Sequence, residues 1–214
     1  YLADNAVGGS WCQEGFLRLL NLPGCARERR DPAHHGLLAP ERIVDLIDAG
    51  IIVDMAHMSH ASFAETLPLL QQRGVAPVYS HVTPAAVRPD PVGLNDQELS
   101  ALFGMGGLMG LTANLAHLPV PGSSCPGSIL DFQAQWDHLV AVGAGAPIAW
   151  GSDFQGGVDH LRPLYGPRGC IDDPSRQAPL DVQGLSHTGL VEPLFEELTK
   201  MGSDRRPLDA SALQ

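Results

Sequence analysis

Lysine is almost absent from this 214-residue sequence: Lys200 is the single lysine among thirteen basic residues, and the formal net charge is −11. Proteins that bind nucleic acid usually present clustered Lys and Arg side chains. The only tight basic cluster, Arg27, Arg29 and Arg30, is interrupted by Glu28, which indicates a solvated loop. We therefore exclude nucleic acid as a partner.

Long hydrophobic runs are also absent. No apolar run approaches the roughly 18 residues that a membrane span requires, and the 214 residues contain no recognisable targeting segment. The composition, 44% hydrophobic and 17% charged, is typical of a globular protein with one large domain or two small ones. Because the sequence starts with Tyr1, we expect a chain that is processed or is part of a longer one. The compartment stays open between cytoplasmic and exported.

Two motifs of nucleotide and acyl chemistry are missing. No Gly-x-Ser-x-Gly elbow and no glycine-rich phosphate loop occur in the sequence. Ser80 precedes His81 and Ser152 precedes Asp153, but adjacent residues of a strand point to opposite faces. Neither pair therefore forms the hydrogen bond between a nucleophile and its base.

The cysteine content excludes a compact zinc or redox motif. None of the four cysteines lies in a Cys-x-x-Cys pair. Two disulfides and four reduced thiols both remain open from the sequence. The four residues are Cys12, Cys25, Cys125 and Cys170.

Three apolar stretches are present that each end in an ionisable side chain, namely His57, His81 and Asp153. Runs of Ile, Val and Ala suit strands that are buried on both faces. In a barrel of alternating strands and helices the carboxyl ends of the strands meet at one rim, so we expect these three side chains to converge. The predicted strands, including one that ends without a charge, are residues 51–57, 75–81, 106–111 and 147–153.

Helix-start signals alternate with these strands. Pro40 suits a first helical turn, Ser59 and Ser128 suit N-cap positions, and Asn95 is followed three residues later by a glutamate as in a capping box. A last helix is predicted over residues 190–201. Four strands, each next to a helix, are half of the eight that close a barrel.

The chain is divided here into three parts. Residues 1–35 are predicted to be a loop-rich segment at the rim, residues 36–202 a partial (β/α) barrel, and residues 203–214 a tail. The Gly- and Pro-rich stretch 154–186 is long enough to be typical of a binding loop.

The strand-end histidines favour a metal site. Neutral imidazole is a common metal ligand, and His57 and His81 lie on successive strand ends with Asp153 on a third. This grouping favours metal binding over histidines that are merely satisfied in a core. Asp54 either orients His57 or caps backbone groups, and we favour the structural role. His60 is interpreted as a residue of a first helical turn, and His187 as a candidate for the pocket. The remaining histidines are interpreted as solvated, namely His34, His35, His117, His138 and His160.

At these positions the sequence resembles the membrane dipeptidase (renal dipeptidase) family of zinc hydrolases, in the amidohydrolase group of barrels. The resemblance spans about residues 36–202. It is carried by Val-Asp-Met-Ala-His-Met-Ser at 53–59, Tyr-Ser-His at 79–81 and Gly-Ser-Asp-Phe-Gln-Gly at 151–156. It implies an α/β fold of the (β/α)8 TIM-barrel type, of which this chain supplies only the C-terminal half to two-thirds.

The resemblance also implies roles for single residues. His57 and His81 look like the two histidines that bind one zinc ion, and Asp153 looks like the acid that handles the proton of the attacking water. The candidates for contacting the substrate are Arg88, Arg162, Arg168 and His187. The sequence departs from the family pattern because it contains no His-x-Asp pair, which supplies further metal ligands, and because Gln155 replaces a second aspartate.

These features predict a zinc-dependent hydrolase that cleaves the amide bond of dipeptides or related small amides, with two zinc ions in the complete enzyme. The chain is then a fragment of that enzyme, with a small dipeptide-like substrate, no membrane span and a possible homodimer. The alternatives are a catalytically inactive barrel that binds a small ligand, and a metal-dependent deaminase or lactonase of the same superfamily.

Overall fold

The computed structural model describes residues 39–154 and 159–203. The predictions for the loop-rich segment 1–35, for the Arg27–Arg30 cluster, for Cys12 and Cys25, and for the tail after Ser203 fall outside these ranges. No helix within the described ranges has the length and apolar content to span a bilayer.

The described residues form a parallel α/β arrangement, as the alternation of signals predicts. Three parallel strands lie in the order β1-β2-β3, and a helix connects each strand to the next. The α/β class is therefore confirmed. The strands are β1 Val78–Val82, β2 Leu108–Thr112 and β3 Ile148–Gly151; the helices are α1 Pro40–Asp48, α2 His60–Gln72, α3 Asp96–Gly104, α4 Ile129–Gly143, α5 Pro179–Gln183 and α6 Val191–Lys200, with a 3₁₀ turn at Thr188–Leu190.

The helix starts follow the predicted capping chemistry. The Ser59 and Ser128 hydroxyls accept hydrogen bonds from backbone N–H groups of the first turns of α2 and α4. Asn95 and Glu98 form a complete capping box at α3. Pro40 occupies the first turn of α1, where its missing N–H costs nothing. These predictions are confirmed.

The predicted strand over residues 51–57 is wrong. Only a single bridge joins Asp54 to Val78, and Ile51 and Ile52 are 51% and 73% exposed. The apolar run favours a strand covered on both faces, but in the described part of the chain this segment has β1 as a partner on one side and no cover over the two isoleucines. The described residues therefore contain three strands of the four predicted.

Two glycines allow the sheet to curl tightly around its middle strand. A Cβ at Gly110 of β2 or at Gly151 of β3 would overlap the carbonyl oxygen of Ser80, and a Cβ at Gly151 would also lie 2.8 Å from the Cα of His81. The pairing of β1 with β2 shifts register between Tyr79 and Val82. The curl and the irregular register bring His81 close to the end of β3.

The interior beneath the strand ends is apolar and closely packed. Leucines of α3, β2 and α4 are fully buried, among them Leu99, Leu111 and Leu139. A disulfide joins Cys125, in the segment that follows β2, to Cys170, in the loop that follows β3. The sequence left this pairing open, and the structure decides it by bringing the two loops together.

Candidate metal centre

His57, His81 and Asp153 lie at one rim of the sheet. His81 lies in β1, while His57 and Asp153 follow the Asp54 bridge and β3 with φ angles of 67° and 50°. Left-handed backbone is uncommon for residues other than glycine and costs about 1–2 kcal/mol. Such strain persists where surrounding structure holds it, and it is concentrated at functional sites.

The two histidines face each other directly. Nε2 of His57 lies 2.8 Å from Nε2 of His81, and the rings meet edge to face with centroids 4.7 Å apart. Two imidazole nitrogens on one tetrahedral zinc ion stand about 3.3 Å apart. The 2.8 Å distance is that of a hydrogen bond between the two rings, and an increase of about 0.5 Å would bring both nitrogens to the spacing of two ligands on one ion.

A hydrogen-bonded chain fixes the tautomer of His81. The Ser80 hydroxyl lies 2.7 Å from Nδ1 of His81 and also bonds to the Asp54 carboxylate. Because an ionised carboxylate only accepts, the hydroxyl donates to Asp54 and accepts the N–H at Nδ1 of His81. The lone pair of neutral His81 is therefore on Nε2, the atom that faces His57.

Asp54 holds the segment before His57 in place. Its Oδ1 accepts the N–H groups of Ala56 and Ser80, both at 3.0 Å. The structural role predicted for Asp54 is thus present, and the carboxylate additionally acts on His81 through Ser80. The prediction that Ser80 and His81 form no hydrogen bond is wrong, because the Ser80 hydroxyl reaches Nδ1 of the adjacent ring at 2.7 Å although the two side chains start from opposite faces of the strand.

His57 has a buried nitrogen without a partner among the described residues. Its Nδ1 is buried and makes no hydrogen bond there. Burial lowers the pKa of His57 below its ordinary value, and the charges of His81 and His117 lower it further, against the opposing charges of Asp153 and Asp54. A neutral imidazole is the form that binds metal.

The ligand set is incomplete in the part of the chain that the structure describes. No group of three or more His, Cys, Asp or Glu side chains within residues 39–154 and 159–203 is arranged to hold a metal ion. A structural zinc ion has four ligands and a catalytic one usually has three from the protein. Two histidines are fewer than either kind of zinc site uses, so a zinc site that includes them needs further ligands.

Asp153 is positioned by Asn114, a residue that sequence reasoning missed. Nδ2 of Asn114 donates to Oδ2 of Asp153 at 2.6 Å, and its Oδ1 accepts the N–H of Ala116 at 2.9 Å. Asn114 is 5% exposed and follows β2. The end of this strand was predicted to carry no charge. Its polar residue nevertheless lies at the rim like the ionisable side chains of the other strands.

Arg88 is engaged within the protein. Its Nη1 bonds to Asp90 at 2.8 Å and its Nη2 to the carbonyl of Ala116 at 2.9 Å. Burial alone would raise the pKa of Asp90, but hydrogen bonds from His117 and the Val92 N–H, with nearby positive charge, outweigh burial and lower it. The prediction that His117 is solvated is wrong, because its Nδ1 lies 2.7 Å from Asp90. The same prediction for His138 is wrong too, because its Nε2 lies 2.7 Å from Asp96 and its side chain is 23% exposed.

The remaining predicted substrate contacts make no hydrogen bond to the histidine pair among the described residues. Arg162 and Arg168 line a cavity of about 440 Å³ whose described lining includes none of the three strand-end residues. His187 is exposed, and its Nδ1 accepts the N–H of Gly189 at the start of the 3₁₀ turn. His160, predicted to be solvated, stacks on Phe154 with ring centroids 3.6 Å apart.

The sequence model of the membrane dipeptidase family (peptidase family M19) matches residues 26–165, more than half of the chain. The chain belongs to the membrane dipeptidase family. The predicted family is confirmed by this match. Among curated proteins, none matches this member of the family significantly.

Three solved structures share the fold of this dipeptidase-family chain. A metallopeptidase from Rhodobacter sphaeroides, liganded with a phosphinate mimic of the dipeptide L-Ala-D-Ala, is 20% identical with a TM-score of 0.59, and the match covers 79% of this chain and 42% of that protein. A dipeptidase described as a metallopeptidase of family M19 is 19% identical with a TM-score of 0.57, covering 80% and 43%. An amidohydrolase from Pseudomonas aeruginosa is 22% identical with a TM-score of 0.58, covering 79% and 52%. The chain thus spans about half the length of the proteins it matches.

Proposed function

We propose that this chain supplies the C-terminal half to two-thirds of a (β/α)8 barrel, with residues 36–202 as the barrel domain. The curled parallel sheet supports this proposal, as does the coverage of only 42–52% of the similar solved structures. The exposed Ile51 and Ile52, beside a segment that pairs on one side only, are where a preceding strand would pack.

Within that barrel, His57 and His81 hold one zinc ion of a two-ion site. The observation that carries this proposal is the 2.8 Å approach of their Nε2 atoms, with the lone pair of His81 turned inward by Ser80. Imidazole ligands suit zinc. When bound, zinc polarises a carbonyl group and lowers the pKa of water. The other ligands lie outside the described residues.

The reaction proposed is hydrolysis of the amide bond of a dipeptide or a related small amide. The family to which the chain belongs and the phosphinate dipeptide mimic bound by the Rhodobacter protein support this substrate class. Asp153 takes up the proton that the attacking water loses and passes it to the leaving amine. Asn114 holds the Asp153 carboxylate in position for this transfer. Arg162, Arg168 and His187 stay candidates for the substrate carboxylate, and the homodimer stays a prediction.

One observation favours a second candidate function, a barrel that binds a small ligand without catalysis. The described residues hold no group of three metal-ligating side chains. A barrel that has lost part of its ligand set keeps a rim cavity but not the metal chemistry. Zinc stoichiometry separates the two functions.

The test replaces both His57 and His81 with alanine in the longest available form of the protein. Elemental analysis is expected to show the loss of at least one zinc ion per chain, and hydrolysis across a panel of dipeptides is expected to disappear. His138→Ala is the control, because His138 pairs with Asp96 on the helical surface. Unchanged zinc content in the double variant would contradict the metal assignment, and a wild type without bound zinc would favour the ligand-binding barrel.

A further inference from the structure

Three histidines in the described part of the chain pair with carboxylates, and one of these pairs differs from the others. His60 contacts Glu98 at 2.6 Å and His138 contacts Asp96 at 2.7 Å, both on the helical side of the protein. His117 contacts Asp90 at 2.7 Å, where the Asp90 side chain is only 6% exposed, against 14% for Glu98 and 54% for Asp96. A nearly buried carboxylate holds a ring more firmly than an exposed one does.

The hydrogen-bond pattern leaves one nitrogen of His117 available. Asp90 accepts from Arg88, from the Val92 N–H and from His117, so its carboxylate is ionised and only accepts. Nδ1 of His117 must therefore carry the proton that it donates. Among the described residues no hydrogen bond is made to Nε2, and the side chain is 20% exposed. The ring thus presents Nε2 at an accessible surface.

Two sets of hydrogen bonds fix the backbone around His117 relative to the strand-end rim. Asn114 accepts the N–H of His117 at its carbonyl and donates from its side chain to Asp153. Arg88 bonds to the carbonyl of Ala116. One short turn after β2 therefore carries both the group that positions Asp153 and the ring of His117.

His117 therefore lies one backbone hydrogen bond away from Asn114, whose side chain holds Asp153 at the rim. A small molecule bound beside Asp153 lies close to this turn.

We propose that His117, held by Asp90 and Arg88, is a substrate-contacting residue of this rim, and that its Nε2 hydrogen-bonds a polar group of a bound dipeptide. This inference rests on the proposed dipeptide hydrolysis and adds a third histidine to that site. It assigns His117 to binding, so its loss affects KM and the dissociation constant rather than kcat.

The test compares His117→Asn and His117→Gln with the wild type. Asparagine keeps a donor for Asp90 but lacks an atom at the position of Nε2, whereas the longer glutamine places its amide near that position. Calorimetric titration of zinc-stripped protein with alanyl-alanine is expected to show about tenfold weaker binding for His117→Asn, the size of one lost hydrogen bond. His117→Gln is expected to recover most of this loss. With zinc-loaded protein KM rises by a similar factor, and kcat stays within about twofold.

His138→Asn is the matched control, because it makes the same change in a histidine–aspartate pair away from the rim. Binding by this control is expected to match the wild type. Unchanged binding in His117→Asn, equal weakening in both His117 variants, or a fall in kcat alone overturns the proposal. A wild type that binds alanyl-alanine without hydrolysing it contradicts the proposed function only, and the binding data alone then decide on His117. A wild type that does neither overturns both.

Discussion

The strand-end rim and the interior beneath it differ in how well each residue satisfies its local conformational and hydrogen-bonding preferences. In the interior, Leu99 and Leu139 are fully buried on helices whose caps follow standard capping chemistry. At the rim, His57 and Asp153 adopt left-handed backbone, and Nδ1 of His57 is buried without a partner among the described residues. Local preferences that are satisfied in the interior and violated a few residues away mark the rim as the functional part.

The free-energy cost of the unfavourable backbone and the unpaired nitrogen at the rim is offset by the burial of apolar side chains in the interior. Each left-handed residue costs about 1–2 kcal/mol, and an unsatisfied buried nitrogen costs about 1–3 kcal/mol. Burying one leucine side chain gains about 1.5–3 kcal/mol, and the interior buries many. Substitutions at the rim should therefore change function with little loss of stability, and substitutions in the interior should do the reverse.

The largest effect on activity with little effect on stability is expected at Asp153. Asp153→Asn keeps an oxygen that accepts from Asn114 and tolerates the left-handed backbone, but removes the basic charge. We expect kcat for dipeptide hydrolysis to fall about 10²–10⁴-fold, which is about 3–5 kcal/mol, with little change in the free energy of unfolding. Steady-state kinetics and urea unfolding measure the two effects. Near-normal hydrolysis would show that Asp153 is structural.

The opposite behaviour is expected at Leu139. Leu139→Ala leaves a cavity in the interior and should lower the free energy of unfolding by about 2–5 kcal/mol, while KM and kcat of the folded fraction stay near normal. Ile171→Ala is the control at a side chain that is 43% exposed, and it should cost less than about 0.5 kcal/mol. A cost at Ile171 as large as that at Leu139 would contradict the expected contrast between interior and surface.

The smallest of these effects is expected at Ser80, which acts through His81. Ser80→Ala removes the group that fixes the tautomer of His81, and we expect zinc affinity to fall about 10–100-fold, or about 1.4–2.7 kcal/mol. Ser80→Thr retains a hydroxyl and should restore most of the affinity. Competition with a chromogenic chelator measures the change, with Ser100→Ala on α3 as the control. Equal affinity in Ser80→Ala and wild type would mean that the relay to Asp54 has no effect on the metal.

Local signals predicted most of the regular structure. Ser59, Asn95 and Ser128 mark helix starts because a side-chain oxygen close in sequence satisfies the first N–H groups, which requires no distant partner. The three strands of the sheet were each predicted to within a few residues, since a continuous apolar run bounded by Gly or Pro is a local pattern as well.

The predictions that failed depend on partners distant in the sequence. The apolar run at residues 51–57 is not a strand because a strand needs neighbours, and among the described residues only Val78 bridges to it. His117 was misread as solvated because Asp90, 27 positions away, approaches it only after β1 and β2 pair. Neither spacing nor composition carries that information.

For this protein, then, the sequence by itself determined the helix starts at Pro40, Ser59, Asn95 and Ser128, the α/β class and two ionisable strand ends, His81 and Asp153. Each depends on residues within about one helical turn of one another or on the general geometry of parallel sheets. The helix Pro179–Gln183 lies in a stretch that was predicted to be a loop. Tertiary structure alone decided the 2.8 Å approach of His57 to His81, the Asp54–Ser80 relay, the Asn114 contact to Asp153 and the Cys125–Cys170 disulfide. These contacts join chain segments that the curl of the sheet brings together. The curl requires glycine at positions 110 and 151, because a Cβ at either position would overlap the carbonyl oxygen of Ser80. That requirement cannot be recognised before Ser80 is placed against the two glycines.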